Sequence, residues 1–199
     1  MKKHLSVIPL TSALLTTSLA SAPAVAAHTP QEAFFEQLRT LCGRAFAGEI
    51  VENTPAGGSF EGKRLIMHVR RCSDKQLHIP FHVGDDASRT WIITRNDAGL
   101  VLKHDHRHQD GSNDVLTNYG GHTVSSGWPQ VQDFPADTET QDLFVAQGIP
   151  QSNGNTWSIY LYPDRFSYRM SRDGRVFQVD FDLTTSVKPP AAPWGHEDH

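Results

Sequence analysis

Three histidines alternate within "KHDHRHQDG": His104, His106 and His108. In an extended chain alternate residues share one face, so all three imidazoles point the same way. Histidines placed like this can do three kinds of chemistry. They can ligate a divalent metal, they can move protons near neutral pH, or they can form the polar rim of a ligand cavity. Neighbours two apart on a strand lie about 6.6–6.8 Å apart, while zinc holds imidazole nitrogens at about 2.0–2.1 Å. Two adjacent histidines can therefore share an ion, and three cannot without a bulge. A metal centre would use His104 and His106, or His106 and His108, with a ligand from another strand. His122 and Asp114 are the nearest candidates in sequence, and no His-Glu-x-x-His spacing is present. Proton transfer has weaker support. Asp105 points away from its histidine neighbours, and there is neither a Gly-x-Ser-x-Gly elbow nor a cysteine-nucleophile context.

The flanking residues fix which way the row faces. Leu100 and Leu102 share its side, while Val101, Lys103, Asp105 and Arg107 share the other. The leucine side is the expected interior, so the histidines continue a buried edge toward a cavity mouth. Asp105 and Arg107 are expected outside, in cross-strand ion pairs. A two-residue turn at Asp97-Ala98 would set Trp91 opposite His104. A three-residue turn using Gly99 would set Ile92 there instead, and both registers stay open. Trp91 and Tyr119 join His104, His106 and His108 as candidate ligand-lining residues, with Trp128, Trp157, Tyr160 and Tyr162 as further aromatics. The Gly pair in "NYGGHT" marks a bend in a curved sheet or a close backbone approach.

The start of the chain carries a different kind of information. Met1-Lys2-Lys3 is basic, Leu5–Leu19 is apolar, and small residues close the segment at Ala22–Ala27. This is the layout of a secretory leader over residues 1–27. Its apolar stretch is shorter than the ~20 residues that span a bilayer. No later segment reads as a membrane span. The remaining two cysteines, Cys42 and Cys72, are expected to form one disulfide in an oxidising compartment, the periplasm or outside the cell. The net charge of -4 becomes more negative once Lys2 and Lys3 are gone. That balance argues against nucleic acid as a partner, because phosphate recognition needs clustered cations.

Thr29-Pro30-Gln31-Glu32 starts a helix with a capping box, Phe34, Phe35, Leu38 and Leu41 give it an apolar side, and Gly43 stops it. Most of the chain beyond Gly43 reads as strand. Arg172-Asp173-Gly174-Arg175 is a hairpin turn that sets Met170 opposite Phe177, Tyr168 opposite Val179 and Phe166 opposite Phe181. A three-residue turn at Ser73-Asp74-Lys75 sets Val69 opposite Ile79, Met67 opposite Phe81 and Leu65 opposite Val83. It turns His68, His78 and His82 toward solvent. Further strands are expected at 44–52, 89–96, 100–108, 115–119, 157–161 and near 122–127. The stretch 128–154 reads as connections with one strand around 143–146, and the tail 188–199 as extended or disordered. One helix and then strands joined by short turns predict a mostly-β protein. The expected fold is a single antiparallel meander β-barrel of about 8–10 strands over residues 28–187.

A helix leading into Gly43-Arg44-Ala45-Phe46-Ala47-Gly48, then meander strands, then a last strand at Phe177–Leu183, resembles calycin-type barrels, the group of lipocalins and fatty-acid-binding proteins. Phe46 stands near the place where those families often carry a Trp. Through "KHDHRHQDG", "YGGHT" and "FPADTET" the chain also resembles exported bacterial proteins of unassigned function. The calycin resemblance implies a barrel holding a small apolar molecule. The expectation is thus a ligand-binding barrel with a histidine-lined mouth. A metal-assisted enzyme using the His104/His106/His108 row and an inhibitor-like protein binder acting through the loops around 128–154 are the alternatives.

Overall fold

The computed structural model describes residues 28–197; the expected leader, Met1–Ala27, lies outside them. Helix α1 (Pro30–Arg39) begins as its sequence dictates. Thr29 accepts from the Glu32 amide, and the Glu32 carboxylate accepts from the Thr29 amide. Its residues Phe34, Phe35 and Leu38 are fully buried.

The strands run in chain order: β1 (Ala45–Thr54), β2 (Leu65–His68), β3 (Arg71–Cys72), β4 (Gln76–Val83), β5 (Asp86–Asn96), β6 (Gly99–His106), β7 (Tyr119–His122), β8 (Val131–Pro135), β9 (Thr156–Tyr162), β10 (Arg165–Arg172) and β11 (Arg175–Asp182). Each pairs antiparallel with its neighbour, β3 extends β2 along β4, and β11 returns to β1. The path ends at β7 and β8. These two meet through a bridge between Gly121 and Ala136 and through the Asp137 amide, which donates to the Gly120 carbonyl at 3.0 Å. The result is a nearly closed antiparallel meander barrel, a layout consistent with the calycin type.

The β10–β11 hairpin has the register its alternation requires, with Met170, Tyr168 and Phe166 opposite Phe177, Val179 and Phe181. The β5–β6 turn is the two-residue one, so Trp91 stands opposite His104. Leu65 and Met67 face Val83 and Phe81 as expected. Beyond Met67 the register slips by one residue, and Cys72 pairs with Leu77. The break falls at Val69-Arg70, where the Val69 amide bonds back to the Arg44 carbonyl and not into the ladder.

The structure differs from the sequence reading in four places: β8 occupies 131–135, inside the stretch read as connections, and the chain from 123 to 127 is irregular in place of the strand expected near 122–127. Residues 138–146 form a helix, α2 (Thr138–Ala146), capped by the Asp137 side chain on the Thr140 amide, in place of the expected strand around 143–146. The apolar run Leu143–Ala146 is too short to reveal its period, and the cap decides. The expected strand at 115–119 is also absent: β7 begins only at Tyr119, and a bend-rich loop precedes it.

α1 fills the barrel end that carries the β5–β6 turn. Gln31 reaches the Ser125 carbonyl and Glu36 pairs with Arg95 at 2.8 Å. The Cys42–Cys72 disulfide ties the end of this helix to β3.

The C-terminal segment is extended and firmly placed as a strap outside the barrel. Its Val187 amide donates to Ala45, its Trp194 amide donates to Ala87, and the His196 carbonyl accepts from Arg70. At its end His196 Nε2 meets Asp105 Oδ2 at 2.6 Å. This corrects the reading of the outer face. His68 and His82, expected in solvent, are buried on it. Burial lowers both imidazole pKa values and takes that of His78 down to about 4. Asp105 is buried as well, and Arg107 pairs with it along the same strand at 2.9 Å, not across strands. The hydrogen bonds from His196 and Arg107 hold the Asp105 carboxyl below its ordinary range against the opposing effect of burial.

Urea unfolding checks two of these ties. Replacing Cys42 and Cys72 by Ser releases a loop of about 30 residues and should cost roughly 3–4 kcal/mol. His196→Ala removes the shorter of the two hydrogen bonds to Asp105 Oδ2, leaving the 3.2 Å one from Arg107, and should cost about 1–3 kcal/mol by the same assay.

Candidate functional site

The barrel end opposite α1 holds a cavity of about 340 Å³. Its position comes from the strand alternation. Leu100 and Leu102 pack into the solid half beside α1, and the same face of β6 then presents His104 and His106 to the open half. The cavity wall is largely aromatic: Phe81, Trp91, Tyr119, Trp157 and Tyr168 line it. Trp91 stacks on Tyr168 at 4.4 Å and 13°, and on Phe81 at 4.9 Å and 21°. Phe144 of α2 and Ile149 close one side.

Of the candidates read from sequence, Trp91, His104, His106 and Tyr119 meet in this one cavity. His108 does not. It lies past the end of β6, its side chain is 57 % exposed, and its nearest carboxylate is Asp114 at 4.0 Å. The expected row of three is thus a pair inside and one residue outside, because the strand ends at His106 and the chain turns away. His122 is exposed and belongs to the other side of the β6–β7 ladder. Among the other aromatics, Trp157 lines the cavity, while Trp128 is 71 % exposed.

His104 is the best-determined group in the site. Its Nδ1 lies 3.1 Å from the Tyr119 carbonyl, which can only accept, so Nδ1 carries the proton and donates. Its Nε2 is then the acceptor, and the Tyr168 hydroxyl donates to it at 2.8 Å. The ring also stacks face to face on Tyr119 at 4.6 Å and 8°. Burial pushes the His104 pKa down to about 3 and that of Tyr119 up to about 12, and it raises Tyr168 well above its ordinary value. All three groups are therefore neutral across the physiological range.

His106 bonds through Nε2 to the Ser88 hydroxyl at 2.9 Å, and burial lowers its pKa. Arg89 stands at the mouth, paired with Asp86 at 2.6 Å and lying over the Phe60 ring. Asn155 lines the cavity, and its side-chain oxygen is buried with no hydrogen-bond partner among the described residues. Sequence reading missed Asn155 because it sits in the irregular stretch after a 3-10 turn, Pro150–Gly154, where no periodicity assigns a face.

Both His104 nitrogens are committed to protein partners. No three His, Cys, Asp or Glu side chains among the described residues gather as a metal-ligand set. The arrangement suits holding a guest: a largely aromatic wall with a few directed polar groups and the Arg89 and Arg175 guanidiniums among its lining. Comparison with protein-family models, with curated proteins and with solved structures finds no match for this chain.

A pH titration checks the state of His104. Its folded pKa lies below the unfolded value near 6.5, so the unfolded chain binds more protons in between. The stability it contributes is complete above pH 6.5 and is lost as pH falls toward about 3. Relative to wild type, His104→Phe should flatten the stability-versus-pH slope by up to about 1.4 kcal/mol per pH unit in that window.

Proposed function

We propose that this protein is an exported, calycin-like binding barrel whose cavity holds a compact, mainly apolar small molecule. One observation carries the reading. A half-open hollow of about 340 Å³ at one barrel end is walled largely by aromatic and apolar side chains, with Arg89, Arg175 and a few uncharged polar groups among them. The space matches the lower end of the range of small-molecule sites, about 300–1,000 Å³. Neutral His104 and Tyr168 favour binding over proton transfer, since neither changes charge near neutral pH.

Export is supported by the leader-like segment and by the disulfide between Cys42 and Cys72, a pairing characteristic of oxidising compartments. No helix among the described residues is long and apolar enough to cross a membrane.

The test uses benzene as a probe of the cavity in ligand-observed NMR. Saturable binding is expected for the wild-type chain. Leu116→Trp places an indole at the cavity wall and should abolish it, at a folding cost of about 1–3 kcal/mol seen in urea unfolding. An interior that takes up no probe in the folded wild-type protein would remove the proposal.

A further inference from the structure

We infer that the natural guest of this cavity carries one anionic group, a carboxylate, on its apolar body, and that Arg89 and Arg175 hold that group at the open end. The inference deepens the cavity-binding proposal and rests on it.

Strand direction brings the two arginines to the same end of the barrel. Arg89 lies early in β5, directly across the ladders from Phe81 and His106, on the face that lines the cavity. Arg175 opens β11, four strands round the sheet, two residues before Phe177 and on its face. Both positions fall at the end away from α1. The rings of Phe60 and Phe177, 5.1 Å apart, link them: the Arg89 guanidinium lies over Phe60 at 5.1 Å and that of Arg175 over Phe177 at 5.9 Å.

Their charge is only partly balanced. Arg89 gives Nη1 to Asp86 at 2.6 Å, and its Nε and Nη2 have no protein partner among the described residues. Arg175 gives Nη1 to the Thr54, Pro55 and Val176 carbonyls, which are neutral, and pairs with no carboxylate among the described residues. The lining holds these two cations and no Asp or Glu. The Arg89 charge is felt by the neighbouring groups of the site: after burial it is the next cause that lowers the His106 pKa, and it opposes the effect of burial at Tyr119 and Tyr168. A cationic guest would meet like charge, and a neutral one would leave the Arg175 charge uncompensated. A carboxylate matches the guanidinium fork in plane and in charge and can accept two parallel N–H bonds. At the open end it keeps part of its water, as does Arg89 with its side chain 23 % exposed, so the full cost of burying an ion pair does not arise.

Benzoate, benzamide and benzamidine separate charge from shape, because they are nearly isosteric and are negative, neutral and positive at neutral pH. Affinities can be read by ligand-observed NMR on the folded, disulfide-bonded chain. Benzoate should bind wild type about tenfold more tightly than benzamide, and benzamidine should bind more weakly than either. Raising the salt concentration should shrink the benzoate advantage. The double variant Arg89→Gln/Arg175→Gln, with its folding checked by urea unfolding, should bring benzoate to or below the level of benzamide. The wild-type order and its salt dependence decide the matter even where that variant is too unstable to assay. Equal binding of benzoate and benzamide to wild type, benzamidine matching benzoate, or a benzoate preference that survives the double variant would each overturn the anion assignment while leaving the cavity reading intact. Wild type that takes up benzene but none of the three probes would do the same. Failure of all three and of benzene to bind would remove both.

Discussion

The structure depends on how closely β7 can approach both of its neighbours. A side chain at Gly120 would place its Cβ 1.9 Å from the Leu102 carbonyl oxygen, and one at Gly121 would place it 1.8 Å from that of Pro135. Neither distance is sterically allowed, so only a glycine pair lets β6, β7 and β8 come together at the seam. Closure there removes two open sheet edges, which would otherwise present unpaired backbone groups. It also sets Tyr119, one residue earlier, against His104, whose ring proton goes to the Tyr119 carbonyl. The seam that completes the barrel therefore also builds one wall of the cavity.

A second constraint works from outside. The C-terminal strap and the loop from Arg107 to Asn118 pack on each other. A Cβ at Gly111 would lie 3.1 Å from the Gly195 Cα, and Arg107 bonds both Asp105 and the Gly111 carbonyl. The same loop carries Leu116 at the cavity wall, and its Thr117 hydroxyl accepts from the His106 amide. Asp105, between the two cavity histidines in sequence, points outward to His196. One strand thus presents an apolar-facing imidazole pair inward and a charge pair outward. The loop connecting them is clamped from both sides, and this keeps a short, four-residue β7 in register.

How much of this was legible depends on how local the determining forces are. The β10–β11 hairpin could be read residue by residue, because its alternation and its Asp-Gly turn agree over sixteen positions, from Arg165–Arg172 to Arg175–Asp182. The inward direction of His104 and His106 was legible for the same reason, inherited from Leu100 and Leu102. The exclusion of His108 was not, because the end of a strand depends on where its partner stops pairing. α2 was hidden by its polar first turn, although Asp137 three residues before Thr140 is a capping signal in its own right. Burial of His68, His82 and Asp105 could not be foreseen. At Asp105 it involves His196, about 90 residues away in a segment with no periodicity of its own. Asn155 escaped for a related reason: its face is set by tertiary packing of a non-repeating turn.

The physical character of the cavity comes from the balance of its two kinds of wall. Aromatic faces supply non-directional attraction and tolerate many guests, whereas a few fixed polar atoms decide which guest fits. His104 cannot be one of those deciding atoms while both its nitrogens serve Tyr119 and Tyr168. It acts as a brace that keeps three rings in place, and because it is neutral it does so without bringing charge into an apolar space. The conspicuous histidines His104 and His106 thus build the frame of the site.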